Sequence, residues 1–391
     1  MLQDSKAREL GLNKHSPTAP SAAHRWVNCP GSVNYVKQLP EPPTSDDSIA
    51  GTASHWVAAQ LLTVPSNWSD YVGEVCPDTD TVIDEEQAEC ADFYASYVLQ
   101  LADETNTTDA IKSEVFVWAN ETIGYSLYGT CDTFLFDNDN NTLHVLDYKF
   151  GHRTVDAKDN YQLIAYTVAI IESHLRFNDP RLQVKFHIVQ PRAFRAGGPI
   201  RTHEYTVAEL QPHFDRLKQA WDEAQLPEAR CIPGLWCRDC VGLVDCNASR
   251  RYVYDGADYI DRAEVVDITP EVVANELRLL SRISEAVKHK ITALEASATA
   301  LLKKGVDVPG YELQKKIGRL DWSIKPEEVI AIGDLMGVDL RHPVAKTITP
   351  TQAKKVIDEA VINGYAHKPD RGVSLSEVST KTSSIIFNKV K

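Results

Sequence analysis

Hydrophobic positions gather into short runs around a polar cluster in the middle of the chain and take helical spacing on either side. Two apolar runs, Thr133–Phe136 and Leu143–Leu146, flank the Asn/Asp cluster 137–141. That pattern predicts a β-hairpin turning at DNDNN. The stretch SEVFVWA ahead of it reads as a further strand. Upstream, GTASHWVAAQLL (51–62) predicts a helix with Trp56, Val57, Leu61 and Leu62 as its apolar face and His55 near its start. Downstream, Asp159-Asn160 is a helix-start signal for YQLIAYTVAIIES, where Gln162 and Tyr166 lie four apart on one face. A long amphipathic helix opens at Thr269-Pro270-Glu271 and runs through Val273, Leu277, Leu280, Val287, Ile291, Leu294 and Leu301 to a stop at Gly305. It spans about nine turns, and its stripe is expected to pack in the core against the nuclease unit, the alternative being a second copy of the chain. GYELQKKIGRLDWSI then predicts a local hairpin or short strand pair, followed by helices near 326–336 and 350–363. The tail, 365–391, is basic and Ser/Thr-rich and is expected to be loosely ordered.

The hairpin carries the chemistry. Asp147 and Lys149 are two apart on the second strand, so they share a face. Asp132 enters the first strand almost directly across from them. Two carboxylates and an ammonium on one spot suit a hard divalent cation such as Mg²⁺ or Mn²⁺. The lysine would orient a water or neutralise charge on a phosphate. The alternative is a salt-bridged surface hairpin. His55 can complete a carboxylate metal site, although a lone histidine is more often a surface or core residue.

Taken in order, these residues resemble the RecB-like branch of the PD-(D/E)XK nuclease superfamily. The match runs through a helical His55, Gly129-Thr-Cys-Asp132, Asp147-Tyr-Lys149 and Gln162-x-x-x-Tyr166, and covers about residues 20–250. AHRWVNCPGS near the start and DYKFG with NYQLIAY in the middle are similar to phage-encoded nuclease-like proteins. The resemblance implies a restriction-endonuclease-like α/β core, a central mixed sheet flanked by helices. It implies Asp132, Asp147 and His55 as ligands of Mg²⁺ or Mn²⁺, with the Tyr148 carbonyl and Glu114 as further candidates. Lys149 would position the attacking water, and Gln162 and Tyr166 would hold DNA or orient Lys149.

Eight cysteines supply a second pattern, with Cys237, Cys240 and Cys246 spaced C-x₂-C-x₅-C and Cys231 just ahead of them. Closely spaced cysteines without a secretory signal point to metal rather than disulfides. Three thiolates need a fourth, for which Cys231 is the local candidate and Cys29 the distant one. Spacing alone allows zinc or an iron–sulfur cluster. AddB-type and CRISPR-adaptation nucleases join one N-terminal cysteine to a C-terminal C-x₂-C-x₅-C around a [4Fe–4S] cluster. The resemblance therefore implies Cys29 with Cys237, Cys240 and Cys246. Cys76, Cys90 and Cys131 are expected to be small buried or loop residues.

Composition changes the picture at one point. Of 391 residues, 41 are basic and 55 acidic, a net charge of −14, so any DNA contact must be local. The candidate basic positions are Arg250 and Arg251 beside the cysteines and Lys315 and Lys316 further on. The expected organisation is a flexible segment 1–20, a nuclease domain 21–250, a mainly helical domain 265–365 and a basic tail 366–391. No run approaches transmembrane length, so a cytoplasmic protein is expected, in the host bacterium if phage-encoded. The expected activity is a metal-dependent DNA exonuclease in phage recombination or end processing, with DNA and a single-strand annealing protein as partners. The alternatives are a non-catalytic DNA-binding or assembly protein, and a structure-selective endonuclease or nickase.

Overall fold

The computed structural model describes residues 16–40, 44–176, 179–193, 198–261, 269–317, 321–341, 350–353, 357–367 and 370–377. Its contacts divide into two units, Met1–His289 and Lys290–Lys391.

The first unit is built on one five-stranded sheet of β1 (Lys112–Trp118), β2 (Tyr128–Asp137), β3 (Thr142–Tyr148), β4 (Gln183–Val189) and β5 (Ile200–Thr206), in the order 1-2-3-4-5. All neighbours are antiparallel except β3 and β4. The predicted hairpin is β2–β3, and Asp137 holds its turn by accepting the N–H groups of Asp139 and Asn140 at 3.0 and 3.1 Å. A parallel neighbour requires a crossover, and the predicted YQLIAY helix supplies it between β3 and β4. Strand β3 is buried on both faces, as a strand beside a parallel partner should be.

Helices α1 (Ala23–Asn28), α2 (Gly31–Val36), α3 (Asp46–Thr63), α4 (Glu85–Glu104), α5 (Tyr161–Ile170) and α6 (Val207–Gln225) flank the sheet. Leu143 and Val145 share a core with residues of α1, α5 and α6. Leu146 and Tyr148, on the opposite face, share theirs with α3 and α4. Side chains alternate across a strand, so β3 serves both layers. Caps fix where the helices begin: Asn160 accepts from the Gln162 and Leu163 amides, and Ser45 from Ser48. The Ser45 cap starts α3 earlier than the apolar spacing predicted, so His55 lies in mid-helix. Beyond the sheet, α7 (Asn247–Asp261) and α8 (Pro270–Lys303) follow. Ile283 of α8 is buried, packed where Gly256 leaves room for it. Of the predicted α8 stripe within this unit, Val273, Leu277 and Leu280 are exposed and Val287 is half-buried.

The second unit corrects two expectations. YELQKKI is a strand, β6 (Tyr311–Ile317), and DW is β7 (Asp321–Trp322), but they do not pair with each other. After α9 (Pro326–Leu335), the helix predicted near 350–363 is divided into α10 (Pro350–Ala353) and α11 (Glu359–Tyr365). Strand β8 (Ala366–His367) then pairs with β7, and β9 (Asp370–Glu377) with β6. The start of the expected loose tail is therefore strand; 378–391 lie outside the described residues. Val329, Leu340, Ile357 and Ile362 form this unit's small core. Among the described residues, no helix is long and apolar enough to cross a membrane.

Candidate metal centre

The β2–β3 ladder ends at Thr133↔Leu146, and the site opens where the two strands part. One residue further on, Asp132 would face Asp147. There the Asp132 carboxylate replaces a strand carbonyl, its Oδ2 accepting the Tyr148 N–H at 2.8 Å. Its Oδ1 faces His55 Nδ1 at 3.7 Å. On the other side, the register of β1 and β2 passes from Ser113↔Thr133 to Val115↔Cys131. Glu114 is thus opposite Asp132, and its φ of 51° is unusual for a residue with a side chain. One ligand atom each from His55, Glu114 and Asp132 lie within 4.8 Å of one another. Like charges directly opposite across a strand pair repel, and a cation between them removes that cost.

Asp147 sits beside this group, almost fully buried. Its Oδ1 accepts from Lys149 Nζ at 3.0 Å and from Gln162 Nε2 at 2.7 Å. Gln162 Oε1 accepts from the same ammonium at 3.0 Å. An ammonium only donates and a carboxylate only accepts, so the two partners fix which way the amide points. Asp147 Oδ2 is 2.9 Å from Lys149 Nζ but makes no well-aligned hydrogen bond, which leaves an oxygen suited to a cation.

Burial pushes the Asp132 carboxyl up to about 6, although the Lys149 charge and the Tyr148 N–H pull the other way. Burial likewise raises Asp147 to about 6, with Lys149 opposing and Asp132 reinforcing the shift. His55 is lowered to about 4, first by burial and then by Lys149, so its ring is neutral and able to ligate. Burial also works against the Lys149 charge, but Asp147 and Asp132 more than offset it and hold the amine above its usual range. A hard cation fits this donor set of oxygens and one imidazole.

Supporting residues fix the ligands in place. The His55 and Tyr148 rings lie 4.9 Å apart. The Tyr148 ring is stacked on Tyr94 at 4.9 Å and its hydroxyl meets Ser54 Oγ at 2.7 Å. Neither Ser54 nor Tyr94 carries a signal that one sequence could reveal. Tyr166 is buried and donates to the Thr130 carbonyl of β2, a tie between helix and strand. Gly129 lets Pro20, in the segment that closes over β2, approach closely: a Cβ there would stand 3.0 Å from its ring. That segment is anchored in turn by Thr18, whose hydroxyl donates to the Ser126 carbonyl.

The cysteine prediction concerns a second place. Cys29, Cys231, Cys237, Cys240 and Cys246 line one small cavity with Ser32 and Tyr35. Two of the sulfurs accept backbone N–H groups, Cys29 from Ile232 at 3.1 Å and Cys237 from Gly234 at 3.3 Å. Cys29 is lowered to about 6, chiefly by the neighbouring Cys231 thiol. The segments around Cys29 and Cys231 meet here, Gly31 having no side chain: a Cβ would stand 2.4 Å from the Ala229 carbonyl oxygen. Cys76, Cys90 and Cys131 are buried elsewhere. Of the basic candidates, Arg250 and Arg251 are exposed on α7, Arg250 lying 5.9 Å from the Tyr254 ring. Lys315 is exposed on β6 in the second unit, and the side chain of Lys316 lies outside the described residues.

A family model described as "Protein of unknown function (DUF2800)" matches residues 15–380. The solved structure described as "Crystal structure of SSO0001" is similar over 56% of this chain and 92% of its own, at 14% identity and a TM-score of 0.24. An overlap that loose leaves the chemistry of the site to be argued from its own residues.

Proposed function

We propose, for a chain that belongs to the DUF2800 family, a divalent-cation-dependent nuclease that hydrolyses phosphodiester bonds in DNA. One observation carries the reading: the Lys149 ammonium and Gln162 both converge on Asp147 beside the His55, Glu114 and Asp132 group. A salt-bridged surface hairpin needs neither a buried aspartate nor three further ligating groups around it. His55, Glu114, Asp132 and the Asp147 oxygen would hold Mg²⁺ or Mn²⁺, with the Tyr148 carbonyl adjacent. The cation would supply charge neutralisation on the phosphate and lower the pKa of a nearby water. Lys149, kept protonated by Asp147 and Asp132, orients that water and balances charge developing on the phosphoryl oxygens. Gln162 keeps the amine from swinging away.

Within that activity we infer an exonuclease acting on DNA ends, as the resemblance to recombination nucleases suggests. The test is digestion of end-labelled linear and closed circular DNA with Mn²⁺. An exonuclease degrades the linear form alone, an endonuclease attacks both, and a binding protein leaves both intact. Asp147→Ala and Lys149→Ala are each expected to lower the rate by about 10³-fold, as removal of a charge-stabilising group does, with melting still cooperative. Full activity in both variants would refute the assignment.

We infer further that the thiol cavity holds a [4Fe–4S] cluster through Cys29, Cys237, Cys240 and Cys246. Support comes from the convergence of Cys29 with cysteines some two hundred residues further along the chain and from the N–H groups donated to two sulfurs. Anaerobic protein should absorb broadly near ~400 nm, and Cys29→Ser should lose iron while Cys231→Ser keeps it. Colourless protein containing zinc would rule against iron, and the reverse ranking of the two variants would exchange the fourth ligand.

A further inference from the structure

The loop that leaves Lys149 and returns to Gln162 is gripped from one side by the end of β4. Tyr148↔Val189 is the last parallel pair, so Gln190 and Arg192 emerge alongside residues 150–155. Gln190 is 1% exposed, and its amide is used completely. Its Nε2 donates to the Gly151 and Arg153 carbonyls at 2.5 and 2.6 Å. Its Oε1 accepts from the Val155 N–H at 3.2 Å and from Arg201 Nη2 at 2.5 Å. Arg201 Nε donates to the Val155 carbonyl at 2.5 Å. Arg192 grips the alternate residues. Its guanidinium lies 4.2 Å from the Phe150 ring centroid and 2.7 Å from His152 Nε2. A guanidinium only donates, so His152 Nε2 accepts, and its Nδ1 is left to donate to the Arg192 carbonyl at 3.1 Å. Glu86 of α4 forms an ion pair with Arg192, its Oε1 3.1 Å from Nε without an aligned hydrogen bond.

From this we propose that Gln190 and Arg192 are positioning residues of the active site. They impose the one course of the loop 150–155 that brings Lys149 and Gln162 together on Asp147. This rests on the nuclease reading for its kinetic consequence but not for its geometry. Gln190 and Arg192 between them hold Phe150, Gly151, His152, Arg153 and Val155, which restrains the loop, and drift of about 1 Å at a reacting group costs on the order of 10²-fold in rate. Neither residue contacts the carboxylates, so the cation affinity is left to the ligands themselves.

The test uses full-length Gln190→Leu, which matches the side chain in size and removes all four hydrogen bonds, and Arg192→Lys, which retains the ion pair with Glu86. Steady-state cleavage of end-labelled linear DNA should give a kcat lower by about tenfold or more. KM for DNA and the Mn²⁺ concentration for half activity should stay within about twofold, since binding and ligation are not what a positioning residue controls. Amide exchange should show lost protection at Val155. A crystal structure of either variant reads the positioning directly: the Lys149–Asp147 and Gln162–Asp147 hydrogen bonds should be broken or displaced. Their survival in both variants overturns the proposal whether or not DNA is cut. A kcat unchanged despite a freed loop also overturns it. Losses in kcat, DNA binding and Mn²⁺ affinity that all track a lower melting temperature reduce the clamp to a fold-stabilising role. Wild-type protein that cuts no DNA while the variants still lose those hydrogen bonds would refute the nuclease reading and leave the positioning intact.

Discussion

Asp132 accepts the Tyr148 N–H through Oδ2, and its Oδ1 faces the neutral His55 ring at 3.7 Å. The same burial that makes it a strong ligand makes its ionised form costly without a cation. Both Asp132 and Asp147 are raised from 3.8 to about 6. A raised carboxyl favours the folded state while protonated, and that contribution is lost as pH climbs from about 4 through 6. His55, lowered from 6.5 to about 4, acts in the opposite sense: its contribution is present above 6.5 and is lost as pH falls through 4. A bound cation requires both carboxylates ionised and the ring neutral. Proton competition at the two carboxyls therefore decides its affinity, while the histidine competes only near pH 4. Mn²⁺ should raise the melting temperature strongly at a pH of about 7.5 and hardly at all at about 5. Differential scanning fluorimetry with a Mn²⁺ titration at each pH measures this. An equal shift at both would mean that Asp132 and Asp147 are not the ligands.

Strands β3 and β4 make a second buried polar contact in the core shared with α4. His144 Nδ1 and His187 Nε2 are 3.1 Å apart, and the Tyr97 hydroxyl meets His187 Nδ1 at 2.7 Å. Burial, with help from Lys185, lowers His144 from 6.5 to about 4. Burial, then His144, takes His187 well below its ordinary value. Both signs agree: neutral imidazoles stabilise the fold above pH 6.5, and this is lost as pH falls towards 4. Melting temperatures of His144→Phe should fall less steeply than wild type over that window, and an unchanged acid limb would exclude this pair as its cause. At the level of elements, the hairpin was legible because turn residues and two short apolar runs fall within one segment. Strand β6 was legible as a strand but not by its partner. Tyr311 pairs with Glu377, and nothing local in YELQKKI distinguishes that from a hairpin with the adjacent DW. The carboxylates, Lys149 and Gln162 stood out by type and spacing, whereas Gln190 looks like any polar residue at a strand end. Only the parallel register of β3 and β4 places it over the loop.

The whole chain carries a net charge of −14, and a polyanion meets it against the average field. At the site itself three of the chain's acidic groups, Asp132, Asp147 and Glu114, stand where a phosphate must come, offset in part by the Lys149 ammonium. Attraction must then depend on the cation, which neutralises two of these charges, and on a few exposed cations such as Arg250 and Arg251 on α7. DNA binding should therefore be weak in EDTA and tighten by about tenfold or more with Ca²⁺, which takes the same oxygen ligands. Its salt dependence should be shallow, because the slope of log affinity against log salt follows the number of phosphates neutralised, about 0.9 per contact. Fluorescence anisotropy of a labelled duplex, with EDTA or Ca²⁺ and across a salt series, reads both quantities. Tight binding in EDTA with a steep salt slope would instead indicate an extended basic groove. In that case the chain would be a DNA-binding protein in its own right, with the carboxylate site contributing little to affinity.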